Sequence, residues 1–234
     1  MNILALAQAE FPETLRLRRH FHENPELSCR EVNTIAFLEA YLKDLGIPTI
    51  NVPDGGLLGI IDSGKPGKTL LMRADTDALP IAESPENLKG PKVCLSQVPG
   101  VSHACGHDGH MAMLLTAARI LVSHKEAFAG KVVLCFERGE EESGDIQNLL
   151  PYIVKESGLT IDGCYATHVR WDCRQGKCPS PPGRSDGRRL LLCDPAEGDL
   201  RPRSPAGPGQ QSYGLLRRPV PAAERIPPAE GGSL

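Results

Sequence analysis

The stretch His103-Ala104-Cys105-Gly106-His107-Asp108-Gly109-His110 gathers a thiol, imidazoles and carboxylate chemistry, then runs directly into an apolar helical pattern over residues 111–122. A chain built around it must present a loop entering a helix, where free backbone N–H groups face outward. Cys and His are the side chains that hold borderline-soft divalent metals. In Cys105-x-His107, both side chains share one face of an extended loop, because alternate residues do so. Taken alone, the block reads rather as solvated histidines beside a buried cysteine. The flanking sequence decides between the two.

Upstream, residues 10–23 read as a helix. Pro12 suits the first turn, Leu15, Leu17 and Phe21 supply apolar positions, and Pro25 ends the element. His20 and His22 lie two apart, so on a helix they face different ways. They read as solvated or locally hydrogen-bonded rather than as ligands. Ser28 and Glu31 have the spacing of a capping box. Behind them, Ile35, Ala36, Leu38, Leu42 and Leu45 recur at helical spacing until Gly46, a left-handed cap residue. Strand-like runs follow at 47–52, 57–62 and 69–75. The turn-rich segment 63–68 makes the second and third of these a hairpin by pattern. The third run ends in Arg73-Ala74-Asp75-Thr76-Asp77-Ala78-Leu79-Pro80. Carboxylates at such an end suit a site above a sheet, although Asp75 could equally pair with Arg73 or cap a turn.

Residues 83–99 read as a long polar loop, 109–122 as a core-facing helix and 131–136 as a buried strand. That strand opens onto Glu140-Glu141-Glu142, which alone would be a solvated acidic turn. Residues 145–156 read as a helix that Pro151 kinks or splits. Residues 163–169 read as a strand with His168 near its end. From residue 69 onward strand and helix alternate. This predicts an α/β fold with a mostly parallel sheet flanked by helices. The C-terminal strand ends of such a sheet share one edge. Asp75, Cys105, His107, Glu140, Glu141 and His168 are therefore expected to converge there as a metal site.

Composition removes other classes. A net charge of -3 gives no basic field for nucleic acid, and 4% aromatic residues give no stacking platform. No apolar run reaches membrane-spanning length, and the first residues lack a secretory pattern. The eight cysteines have no paired spacing, so reduced thiols and a cytoplasmic location are expected.

Four blocks together carry a resemblance: Arg18-Arg19-His20-Phe21-His22-Glu23-Asn24-Pro25-Glu26-Leu27-Ser28, the Arg73-to-Pro80 segment, the His103-to-His110 segment, and the strand into Glu140-Glu141. Over about residues 10–172 the chain resembles the amidohydrolase branch of the M20 metallopeptidase family, with its aminoacylase-like, hippurate-hydrolase-like and auxin-conjugate-hydrolase-like enzymes. The resemblance implies a zinc-peptidase-like catalytic domain with two divalent ions, Zn, Mn, Co or Ni, acting on N-acyl amino acids or related small amides. Cys105 and His107 match the family's Cys-x-His ligands, Glu141 its metal-binding glutamate and His168 a further ligand. Glu140 matches the general base, and Asp75 the aspartate that orients a metal-binding neighbour. Where the family has Phe-Gln-Pro-Ala-Glu-Glu, this chain has Phe136-Glu137-Arg138-Gly139-Glu140-Glu141.

The resemblance also implies a lid domain inserted near His168 and a later return of the chain that brings one more histidine. No histidine follows His168 here, and residues 173–234 are dense in Pro, Gly and Arg. The expected organisation is a partial catalytic domain over 1–172, without the lid, and a disordered or frame-shifted tail over 173–234. Dimerisation through a lid is then not expected. Two functions of different class follow: a metal-dependent amidohydrolase, or a catalytically inactive fragment or interaction module.

Overall fold

Leu70-Leu71-Met72 and Val132-Val133-Leu134 are short apolar runs bounded by polar residues, and such runs bury both faces of a strand. In the computed structural model, which describes residues 1–87, 90–142 and 146–169, they form adjacent strands of a five-stranded sheet. In chain order the elements are α1 (Ile3–Ala9), α2 (Phe11–Glu23), α3 (Val32–Asp44), β1 (Thr49–Val52), β2 (Gly56–Asp62), β3 (Thr69–Asp75), the short pair β4 (Glu86–Asn87) and β5 (Gly90–Pro91), α4 (His107–Ser123), β6 (Lys131–Glu137), α5 (Ile146–Pro151) and β7 (Gly163–Ala166). The strand order is β1-β2-β6-β3-β7. The β6-β3-β7 half is parallel and the β1-β2-β6 half antiparallel, so the sheet is mixed.

The expected β2–β3 hairpin does not form, because β6 lies between the two strands. Segment 63–68 wraps the start of β6 instead. Ser63 N–H donates to Gly130 O at 3.1 Å, Gly130 N–H to Lys65 O at 2.9 Å and Lys131 N–H to Lys68 O at 3.0 Å. A Cβ on Gly130 would stand 2.0 Å from Lys68 O, so only glycine permits this approach.

Side-chain alternation along β6 divides the core. Val132, Leu134 and Phe136 face α2, α3 and α4 together with Leu17, Phe21, Leu38, Leu42, Met111 and Leu115. Val133 and Cys135 face the other side, with Leu71, Leu149, Ile153 and Cys164. Phe136 is fully buried in the first of these layers. Phe136→Ala is expected to cost about 3–5 kcal/mol, through lost transfer energy and the cavity left behind. The urea unfolding midpoint measures it.

Two local details position the site. α3 ends in a Schellman pattern at Gly46, with Ile47 N–H on Leu42 O and Gly46 N–H on Lys43 O, both at 2.9 Å. At its start the expected Ser28–Glu31 capping box is absent. The Glu26 carboxylate accepts the Asn33 and Thr34 N–H groups at 3.1 and 2.8 Å, while Ser28 donates to Asp77 at 2.7 Å. Ser28 and Glu31 are drawn inward by partners far away in the chain, which local spacing does not reveal. Pro151 does split its helix: α5 stops there and a π-helical turn, Tyr152–Glu156, follows. Among the described residues, no helix is long and apolar enough to cross a membrane. The tail expected to be disordered, from residue 173, lies outside the described residues.

Candidate metal centre

The parallel half of the sheet delivers Asp75 at the end of β3, the turn with Glu140 and Glu141 just beyond β6, and His168 just beyond β7. α4 begins at His107, with Cys105 in the loop before it. Gly106, at φ 90°, is the left-handed N-cap that lets the chain turn from that loop into the helix.

The donor atoms of Cys105, His107 and Glu141 all lie within 4.8 Å of one another. His168 Nε2 lies 3.4 Å from Cys105 Sγ. His107 Nδ1–H donates to Asp77 Oδ1 at 3.0 Å and to Asp77 O at 2.9 Å, and His168 Nδ1–H donates to Val169 O at 2.7 Å. Both rings therefore turn Nε2 toward the same point, as metal-binding imidazoles do when their other nitrogen is engaged. His107 Nε2 is buried and has no hydrogen-bond partner. It lies 3.6 Å from Asp75 Oδ2 and 3.8 Å from Glu141 Oε1. An orphaned buried nitrogen ringed by a thiol, a carboxylate and a second imidazole fits a divalent cation, both by donor type and by the need to satisfy that atom.

Burial opposes protonation of His107, but the Asp77 carboxylate, Cys105 and the Asp75 charge outweigh it and push its pKa up to about 11. A cation at this point would take over the role of that proton. For Cys105, the His107 imidazole favours the thiolate, yet burial and Glu141 leave the thiol above its ordinary value. Glu140 is half-buried. Burial raises its pKa; Arg73 opposes this and Asp75 reinforces it. A carboxylate raised in this way holds a proton more readily than an ordinary one, as a proton carrier must.

Asp75 lies deeper than the cluster. Burial disfavours its charge, but His110 and Arg73 hold its carboxyl far below the usual range. Val169 N–H donates to His110 Nε2 at 2.9 Å, so the His110 proton sits on Nδ1 and points to Asp75. Arg73 bridges Asp75, at 3.0 Å, and the buried Glu137. Glu137, one of the departures from the family pattern, is raised by burial despite Arg73.

Sequence reasoning gave no role to His110 or Glu137, read Glu31 only as a helix-capping residue and left Asp77 without a partner of its own. The His107–His110 spacing of three on a helix, which puts both on one face, was the available signal for His110. Glu31, fully buried, accepts Gly139 N–H at 2.7 Å and so holds the turn before Glu140.

His22 corrects an expectation too. It is buried, and beside a local contact with Arg18 at 3.2 Å its main partners are distant in the chain. Nδ1 lies 2.7 Å from Asp108 and Nε2 2.9 Å from Glu83. With both nitrogens against carboxylates, the charged form of the ring is favoured. The Asp108 hydrogen bond raises its pKa, burial opposes this, Glu83 adds to it and Arg18 opposes it. Arg18 also pairs with Asp108, and Lys92 with Glu83, each at 2.9 Å. Arg18, His22, Glu83 and Lys92, with Ser102 and a neutral His103 whose pKa burial lowers to about 4, line a cavity of about 550 Å³. A raised folded pKa contributes stability in full below the unfolded value of about 6.5 and loses it as pH rises through the folded value. The stability gap between the wild type and His22→Gln is therefore expected to be largest near pH 6 and to shrink toward pH 9. Urea midpoints across that range measure it.

The sequence model of Peptidase family M20/M25/M40 matches residues 71–197. The chain is 42% identical over 161 residues to Thermostable carboxypeptidase 2 of Saccharolobus solfataricus, covering 66% of this chain and 38% of that protein. It is 36% identical over 167 residues to the N-acyl-L-amino acid amidohydrolase of Geobacillus stearothermophilus, covering 70% and 43%. Among solved structures it is similar to the Bacillus subtilis YXEP protein, described as a dinuclear metal binding peptidase from the M20 family. That match has a TM-score of 0.60 and 30% identity, and covers 70% of this chain and 45% of that one. The chain thus spans less than half the length of these relatives.

Proposed function

The chain belongs to peptidase family M20/M25/M40, and from that premise we propose that it carries the metal-holding part of an amidohydrolase acting on N-acyl amino acids or related small amides. Cys105, His107, Glu141 and His168 hold the divalent ions, two per site, drawn from Zn, Mn, Co or Ni. The observation that carries this reading is the buried, unpartnered His107 Nε2 among Cys105, Glu141 and Asp75.

When bound, the cation supplies Lewis-acid polarisation of an amide carbonyl and of a water molecule. The rest falls to side chains of this chain. Glu140, adjacent to a ligand without being one, takes the water proton and passes it to the leaving nitrogen. Its half-buried place beside Glu141 keeps its carboxyl above the ordinary range, which suits both transfers. Asp77 orients His107. Asp75, fixed by Arg73 and His110, sets the negative charge behind the cluster.

The test is release of free amino acid from hippurate and other N-acyl amino acids by the purified chain. It is run after chelation and again after adding Zn²⁺, Mn²⁺ or Co²⁺. Release restored by metal is the expected result. A chain that takes up metal yet releases nothing would overturn the hydrolase reading in favour of an inactive, metal-binding fragment.

A further inference from the structure

β6 ends at Glu137, and Glu140 and Glu141 follow after only Arg138 and Gly139. Gly139 stands at φ 66°, and a glycine so placed lets the turn swing unless neighbours hold it. Arg138 meets those neighbours, and its side chain is only 14% exposed. Its backbone N–H donates to Gly55 O at 3.2 Å. Its guanidinium donates from Nη2 to Cys29 O at 2.8 Å and from Nε to Glu31 Oε2 at 3.3 Å. Nη1 lies 3.7 Å from Asp54 Oδ1.

We propose that Arg138 is a positioning residue that ties the end of β6 to the segment before α3 and to the β1–β2 turn, and so fixes where the turn presents Glu140 and Glu141; this rests on the metal-centre reading above. The Glu31 carboxylate is fully buried, and a buried charge is tolerated where it is paired. Arg138 pairs with one of its oxygens, and the other accepts Gly139 N–H at 2.7 Å. The guanidinium therefore holds the acceptor that holds the turn. Cys29 and Asp54 stand at φ 61° and 51°, a region that residues other than glycine seldom adopt. Arg138 bonds the carbonyl of the first and faces the carboxylate of the second, so it joins two chain reversals to the end of β6. A planar guanidinium fork spans a carbonyl and a carboxylate at once, whereas a lysine ammonium is a point charge. The family pattern has proline at this position, with neither an N–H nor a side-chain donor to give. The clamp is thus a feature of this chain's own departure from that pattern.

The test uses the 234-residue chain and has one readout with metal and one without. In the chelated protein, NMR follows hydrogen exchange of the Gly139 amide relative to that of Leu134, in the middle of β6. Global unfolding exposes both amides alike, so a change in their ratio reports the turn alone. Zn²⁺ affinity is then measured by calorimetry. Arg138→Met is expected to raise the exchange ratio by at least about tenfold, as loss of a charge-assisted hydrogen bond does. It should weaken Zn²⁺ binding by about tenfold, the low end for an outer partner of a ligand. Arg138→Lys, which keeps the charge and loses the fork, should raise the ratio too, and it decides the matter if the methionine variant does not fold. Lys131→Met is the control. That residue lies at the other end of β6, where it pairs with Asp62 at 3.0 Å, and the change should leave both readouts as in the wild type. If the ratio does not respond to Arg138, or Zn²⁺ affinity is unchanged in its variants, or Lys131→Met matches them, the proposal falls. If the wild-type chain binds no Zn²⁺, the metal-centre reading fails, while the exchange ratio still decides whether Arg138 holds the turn.

Discussion

Glu140→Gln is expected to lower kcat for metal-restored amide hydrolysis by about 10²–10⁴-fold, the range associated with losing a general acid–base group. Metal content should stay near that of the wild type. The reason lies in the geometry of the turn. Glu141 shares a candidate metal-binding cluster with Cys105 and His107, whereas Glu140 belongs to no such set among the described residues. Glutamine keeps the size and polarity of the side chain and removes its ability to take up and release a proton. Metal analysis of the purified variant beside its kinetics separates the two roles. Parallel loss of metal and activity would make Glu140 a ligand and move the proton-transfer role elsewhere.

Removing a proposed ligand should act the other way round. His107→Ala is expected to reduce Zn²⁺ affinity by more than the roughly 10–100-fold typical of losing an outer partner. It removes the donor at the centre of the cluster and leaves the Asp77 carboxylate buried without its imidazole. Cys105→Ala should weaken binding in the same direction. Cys105 is less buried, so less of its effect should come through folding. Calorimetric titration, with circular dichroism to confirm that each variant is folded, measures both. Full metal uptake by either variant would place the metal elsewhere in the chain.

The fold was legible wherever a signal is local. The β3 limits, the end of α3 at Gly46 and the break at Pro151 follow from burial period, left-handed glycine and the missing proline N–H. The alternation of strand and helix after residue 69 led correctly to parallel pairing of β3, β6 and β7. The hairpin between β2 and β3 was misread because a turn-rich connection looks the same whether its strands pair directly or leave room for a third. Only β6, arriving some seventy residues after β2, settles which.

The sequence by itself determined the chemistry available to this protein: a Cys-x-His loop opening a helix, paired glutamates beyond a buried strand and a histidine beyond the next. The tertiary structure decided which of these side chains meet and which nitrogen each imidazole offers. It also separated Asp75, turned to Arg73 and His110, from Asp77, turned to His107 and Glu141. In the sequence the two aspartates stand two apart in one motif and cannot be told apart. Their roles come from long-range partners, because a buried carboxylate takes its place from the donors that converge on it, and those donors are supplied by elements distant along the chain.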